Sequence, residues 1–320
     1  MNKKYEIFKL IGKGNYGKAY LVKNREDNNL YVNKVIDMSQ FSKEQLENAL
    51  REAEILKSLK HPNIIRCIDF FVDDKLLCLV TEFADLGDLS KIIKYQILSG
   101  YFFCEEIILN WFVQLCFAIK YIHSKNILHR DLKLSNIFLT SKGNIKLGDF
   151  GIAKILSSKD ELAKTLVGTP YYLSPELCLK KPYNHKSDIW SLGCILYEMM
   201  YLKHAFEADS IGELVLNILQ GNYNTQINAG FSDEVVNLLK SILVINTKIR
   251  PSIDQILNTK ILQKYITMNA IRLCEKLPDS IFDKIFYGKK YEIMDEENKN
   301  THNNKKINNI IDKKSENKFK

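Results

Sequence analysis

The apolar positions of the chain change period several times, and each change marks an element. Lys18-Ala19-Tyr20-Leu21-Val22 and Leu30-Tyr31-Val32-Asn33-Lys34-Val35-Ile36 run as β-prone stretches, the second alternating with the two-residue period of a half-buried strand. A helix is predicted from about Lys43 to Leu59, and a short apolar run from Leu76 to Val80 reads as another strand. Further along, Ile107/Ile108, Trp111/Phe112, Leu115/Cys116 and Ile119 recur every 3.6 residues, the stripe of a long helix against a core. The aromatics of that stripe belong to the core rather than to a cofactor pocket.

Past residue 266 the pattern weakens. Residues 267–287 keep Ile271, Leu273, Leu277, Ile281, Phe282, Ile285 and Phe286, enough for a helical extension that packs on what precedes it. Residues 288–320 are rich in Asn and Lys, with no aromatics except Tyr291 and Phe319 and no heptad, so a disordered tail is expected. The net charge is +8, but basic residues are interspersed with acidic ones, so no specific nucleic-acid partner is expected. Seven cysteines without a C-x-x-C pair argue for reduced thiols and against a zinc site. The N-terminus has no apolar signal core, position 2 is not glycine, and no uninterrupted apolar run is long enough to span a bilayer. The expectation is a monomer, cytoplasmic and/or nuclear, without a membrane partner.

The chemistry concentrates in His129-Arg130-Asp131-Leu132-Lys133-Leu134-Ser135-Asn136 and in Asp149-Phe150-Gly151. Asp131 can accept a hydroxyl proton, Lys133 can balance charge on a moving phosphoryl group, and Asn136 and Asp149 offer hard oxygen ligands suited to Mg²⁺, with Mn²⁺ as a substitute. Ile11-Gly12-Lys13-Gly14-Asn15-Tyr16-Gly17 is a G-x-G-x-x-G run, whose backbone can approach phosphate oxygens. Alone it could be a hairpin turn or a dinucleotide loop. The dinucleotide reading needs a helix after the third glycine, and here a strand follows.

Taken in order, these segments resemble eukaryotic protein kinases over residues 5–266. Ser174-Pro175-Glu176, Asp188-Ile189-Trp190-Ser191-Leu192-Gly193 and Arg250 extend the match. Within that family, Leu147-Gly148-Asp149-Phe150-Gly151, Val167-Gly168-Thr169-Pro170-Tyr171-Tyr172 and Leu202-Lys203-His204-Ala205-Phe206-Glu207-Ala208 resemble the NIMA-related (Nek) serine/threonine kinases.

The resemblance implies an α+β, two-lobed fold: a small antiparallel lobe with one key helix over 5–83 and a larger, mainly helical lobe over 84–266. It implies transfer of the γ-phosphoryl group of MgATP to Ser/Thr hydroxyls of protein substrates, in cell-cycle or microtubule and centrosome control. A catalytically silent kinase-fold scaffold is the alternative, and such proteins usually lose residues of the Lys34, Asp131 or Asp149 type. By resemblance, Lys34 binds phosphates and pairs with Glu52 rather than the neighbouring Glu54. Thr81 stands at the gatekeeper position, and the backbone from Glu82 to Ala84 bonds adenine, between a roof of Ala19 and Val32 and a floor of Phe138. Glu176 and Arg250 form a structural ion pair. Thr169 favours Ser/Thr hydroxyls, and Thr165 is the activating phosphosite, its phosphate meeting Arg130 and Lys154.

Overall fold

The computed structural model describes residues 4–14, 17–149, 170–224 and 230–275. The chain divides into two units, 1–269 and 270–320, and of the second only helical backbone to Glu275 is described. The expected activation segment, with Thr165, Thr169 and Lys154, and the expected tail lie outside the described residues.

Five antiparallel strands make the first layer: β1 (Tyr5–Gly14), β2 (Gly17–Asn24), β3 (Leu30–Asp37), β4 (Cys67–Asp73) and β5 (Leu76–Glu82), in the order β1-β2-β3-β5-β4. Register puts Ala19 opposite Lys34 and Lys34 opposite Leu79, and puts Leu21 opposite Val32 and Val32 opposite Thr81. Because successive side chains point to opposite faces, Ala19, Val32, Lys34 and Thr81 share one face of the sheet.

Helix α1 (Lys43–Ser58) starts at a capping box: the Gln45 N–H donates to Ser42 Oγ (3.3 Å) and the Ser42 N–H to Gln45 Oε1 (2.8 Å). Ala49 and Ala53, both fully buried, bring the helix close to Ile36, Met38, Leu77 and Leu79. Gly17 of β2 lies tight against β3. A Cβ there would lie 2.0 Å from Val35 O, so this glycine is required by strand packing before any ligand is considered.

The larger half is helical: α2 (Leu89–Ser99), α3 (Glu105–Ser124), α4 (Pro175–Cys178), α5 (His185–Tyr201), α6 (Ile211–Gln220), α7 (Asp233–Ile242), α8 (Ile253–Leu257) and α9 (Lys260–Glu275). The predicted stripe falls within α3, where Ile108, Trp111, Phe112 and Ile119 are fully buried. Among the described residues α3 alone is long and apolar enough to cross a membrane, but its apolar positions are spent on this core. Helix α5 is capped by Asn184 and is buried from Ser187 through Tyr201, the pattern of a helix surrounded by protein.

A short hairpin, β6 (Ile137–Leu139) and β7 (Ile145–Leu147), lies where the two halves meet. The Ile65 N–H donates to Leu147 O (2.8 Å), and the Leu147 N–H donates to Asn63 O (2.8 Å). The hairpin is thereby fixed to the segment that links α1 to the sheet.

Candidate active site

The catalytic loop is held from below by one buried carboxylate. Asp188, in the first turn of α5, is fully buried and accepts four hydrogen bonds. Its Oδ2 receives the His129 N–H (3.0 Å) and His123 Nε2 (2.7 Å), and its Oδ1 receives the Arg130 N–H (3.2 Å) and the Tyr183 hydroxyl. Burial alone would raise this carboxyl. The donors from His123 and Tyr183 reverse that and hold it below the ordinary carboxylate value. Two consecutive backbone N–H groups can point at one carboxylate because Arg130 has φ 64°, a conformation rare for a side-chain-bearing residue.

His129 is buried, and burial lowers its pKa, so it is neutral. Its Nδ1 accepts the Asp131 N–H (3.3 Å), which places the ring proton on Nε2, directed at Gly148 O (3.1 Å). The Gly148 N–H in turn donates to Asn136 O (2.9 Å). One imidazole therefore spaces the Asp131 loop from the strand end that carries Asp149.

At the surface of this scaffold the functional side chains converge. Lys133 Nζ lies 2.9 Å from Asp131 Oδ2. Asn136 Nδ2 donates to Asp131 O (2.8 Å) and Oδ2 (3.0 Å). The donor end of Asn136 is thus engaged by the loop, and its oxygen is the end suited to a cation. Asp149, the other expected ligand, has φ 50° and meets Lys34 Nζ at 2.6 Å. Both members of that pair are partly exposed, so the carboxylate is open to the cleft. A carboxylate and a carboxamide oxygen form a hard donor set that fits a divalent cation.

The expected Lys34–Glu52 pair is not made. Glu52 sits on the buried stripe of α1, only 8% exposed, and its Oε2 has no hydrogen-bond partner among the described residues. Burial pushes its carboxyl up to about 7, against the opposing pull of Arg130 and Lys34. Lys34 instead takes the more accessible Asp149.

The nucleotide-facing residues fall where the strands place them. Gly12 pairs with Ala19 and Gly14 with Gly17 across the β1–β2 turn, with Ile11 and Lys13 on the same arm. The Glu82 N–H is committed to Arg66 O (3.0 Å), so its C=O is the backbone group left for adenine. Ala84 uses its C=O for the Gly87 N–H (3.2 Å), leaving its N–H on offer. The Glu82 carboxylate is turned away to Lys146 Nζ (2.9 Å). Phe138, central in β6, packs on Gly148, where an added Cβ would stand 2.9 Å from its ring. The absence of a side chain at 148 accommodates the large floor residue.

Glu176 and Arg250 form the anticipated pair, as a bidentate contact (Nη1–Oε1 2.9 Å, Nη2–Oε2 3.0 Å). The guanidinium also donates to Lys186 O, Val244 O and Ile245 O and lies over the Trp190 ring. Three features were not foreseen from sequence: the His123 and Tyr183 donors to Asp188, the packing of Gly148 on Phe138, and the hydrogen bond from Tyr172 to Glu198. Only the second carried a signal, a glycine next in space to an enlarged floor residue.

A two-lobed α+β fold with Asp131, Lys133, Asn136, Lys34 and Asp149 gathered at the lobe junction defines the protein-kinase class, and the protein kinase domain model matches residues 5–262; the chain belongs to that family. Within it, similarity is to the Nek kinases. The serine/threonine-protein kinase Nek1 of Mus musculus is 46% identical over 263 residues, 82% of this chain and 22% of that protein. Nek5 of Homo sapiens is 45% identical over 84% of this chain and 38% of its own length. The probable serine/threonine-protein kinase nek3 of Dictyostelium discoideum is 48% identical over 82% and 24%. The chain spans between about a fifth and two-fifths of the length of these curated relatives.

Proposed function

We propose that the chain is an ATP-dependent serine/threonine protein kinase of the NIMA-related type, acting on protein Ser/Thr hydroxyls. The observation that carries the reading is the Lys133–Asp131–Asn136 cluster tied through His129 and Gly148 to the strand end that carries Asp149 with its partner Lys34, on a loop fixed through Asp188. Phosphoryl transfer asks a protein mainly for position and charge complementarity. The rigid loop supplies the first, and these five side chains supply the second.

Asp131 orients the acceptor hydroxyl and takes its proton as the phosphoryl group leaves. Lys133, 2.9 Å from that carboxylate, shares the charge of the transferred group. Lys34 and the Gly12–Gly17 arm hold the nucleotide phosphates, with Ala19 and Val32 above the base, Phe138 below it and Thr81 beside it. Asn136 and Asp149 would hold Mg²⁺, with Mn²⁺ a possible substitute, and a divalent ion there neutralises phosphate charge. With ATP present, Lys34 exchanges Asp149 for phosphate, and Glu52 is then the carboxylate available to steady it. Thr165 is the proposed activating phosphosite and Thr169 the residue that favours Ser/Thr acceptors. The Nek likeness supports a role in cell-cycle or microtubule control, and a cytoplasmic or nuclear monomer is proposed on the sequence pattern alone.

The test is transfer from labelled ATP to casein in the presence of Mg²⁺, comparing the purified chain with Asp149→Ala. Loss of transfer by at least about 10²-fold in the variant is expected, with Thr165 modified in the wild type. A wild type that transfers nothing, even after treatment with an upstream kinase, would move the chain to the silent-scaffold reading.

A further inference from the structure

On β3 the residue beside Lys34 points the other way. Asn33 and Val35 project onto the outer face of the sheet, opposite the nucleotide-facing row. There the sheet encloses a cavity of about 320 Å³, at the lower end of the range for small-molecule sites. Its walls are mostly apolar, with Val22, Val35, Leu76 and Phe71 prominent, and the polar side chains of Tyr5, Asn33, Tyr20 and Asp73 also line it, Asp73 at the end of β4.

Tyr5 and Asn33 are more than nine-tenths buried, at 7% and 5% exposure. Among the described residues neither Tyr5 Oη nor Asn33 Oδ1 has a hydrogen-bond partner. Asn is disfavoured inside a strand, and a buried carbonyl oxygen left without a donor is costly. A valine at 33 would satisfy the strand and the apolar wall together, so the asparagine is unexplained by folding. Tyr5 and Phe71, with rings parallel to within 6° and centroids 6.4 Å apart, give the cavity flat aromatic surfaces.

We infer that this cavity is a binding site for a small planar aromatic molecule bearing a hydroxyl, a phenol-class ligand. A hydroxyl suits such groups because it can both donate, as to Asn33 Oδ1, and accept, as from the Tyr5 hydroxyl. The apolar body of such a ligand fits the remaining wall. The site is separate from the nucleotide cleft and does not depend on the kinase reading.

The experiment is calorimetric titration of 2-naphthol and of naphthalene into the full chain, with the adenine cleft blocked by excess of a non-hydrolysable ATP analogue and Mg²⁺. The titrations are repeated on Asn33→Val and on Val35→Trp, which fills the cavity. Thermal unfolding checks that each variant is folded. One 2-naphthol per chain is expected, weakened roughly tenfold by Asn33→Val, the loss of one neutral hydrogen bond. Naphthalene should be unaffected by that change, and Val35→Trp should abolish both. If Val35→Trp does not fold, the Asn33→Val comparison still decides. Equal 2-naphthol affinity for wild type and Asn33→Val would overturn the site. So would no binding to the wild type, which would leave water as the only occupant of the two polar groups.

Discussion

At the scale of the single residue, Glu52 carries the sharpest consequence. Its carboxyl is raised from an ordinary 4.5 to about 7 because burial disfavours the charged form more than Lys34 and Arg130 favour it. Between those two values the folded chain binds a proton that the unfolded chain has released. Stability therefore falls as pH rises through that window, and the penalty is complete above the folded value. At about pH 8 the cost is on the order of 3 kcal/mol, from about 1.4 kcal/mol per pKa unit. Glu52→Gln, which resembles the protonated acid, should change little near pH 4 and should raise the melting temperature well above pH 7. Thermal melts across that range check it; a difference between variant and wild type that does not grow with pH would show that Glu52 is ionised in the nucleotide-free fold. The same variant should transfer phosphate more slowly, since a neutral amide cannot steady the Lys34 ammonium. Such an exchange of stability for activity is common at functional sites.

At the scale of elements, the β6–β7 hairpin is tuned by one absent side chain. Gly148→Ala would press a methyl to 2.9 Å from the Phe138 ring and 3.1 Å from Ile65. Overpacking of this kind costs about 1–3 kcal/mol, and here it also tilts the adenine floor. Phe138→Leu in the same chain should recover most of both losses, because leucine lacks the ring edge. A double-mutant cycle on melting and nucleotide affinity measures the coupling; additive effects would separate the two positions. The Glu176–Arg250 pair ties α4 to the segment before α8 in a similar way. Arg250 is 1% exposed with every described bond directed. A lysine there cannot make the bidentate contact and three carbonyl bonds together. Arg250→Lys should cost about 3–5 kcal/mol, read as a lower urea midpoint at unchanged slope.

These elements also mark what the sequence could and could not reveal. The strands around Lys34, the α3 stripe and the Glu176–Arg250 pair were legible, because periodicity and motif spacing report faces and order. The state of Lys34 was not. The sequence offered Glu52 and Glu54 as partners for this lysine and Asp149 only as a metal ligand. Which one wins depends on desolvation of Glu52 against exposure of Asp149, a three-dimensional quantity. The partners of Asp188 come from 65 residues upstream and five residues upstream, and no local pattern joins them. The outer cavity was hidden as well, since Asn33 reads as one more residue in a strand until its burial is known.

At the scale of the whole molecule, the Lys34–Asp149 contact joins the sheet to the strand end after β7. Its side chains are 38% and 45% exposed, and pairs of that kind contribute about 0–1 kcal/mol. The stability of the domain therefore rests little on this ion pair, while backbone hydrogen bonds fix β6–β7 to the segment after α1. Asp149→Asn should leave the nucleotide-free melting temperature nearly unchanged. A ligand at a hundred times its Kd adds about 2.7 kcal/mol to the folded state, which for a domain of this size raises melting by roughly 5–10 °C. In the wild type, part of the rise seen with ATP analogue should require Mg²⁺. In Asp149→Asn that part should disappear while the nucleotide-only part remains, since Lys34, the glycine arm and the adenine walls are intact. A Mg²⁺ increment that survived the substitution would remove Asp149 from the metal site. Asn136 would then be left as the one hard ligand at a junction whose geometry asks for two.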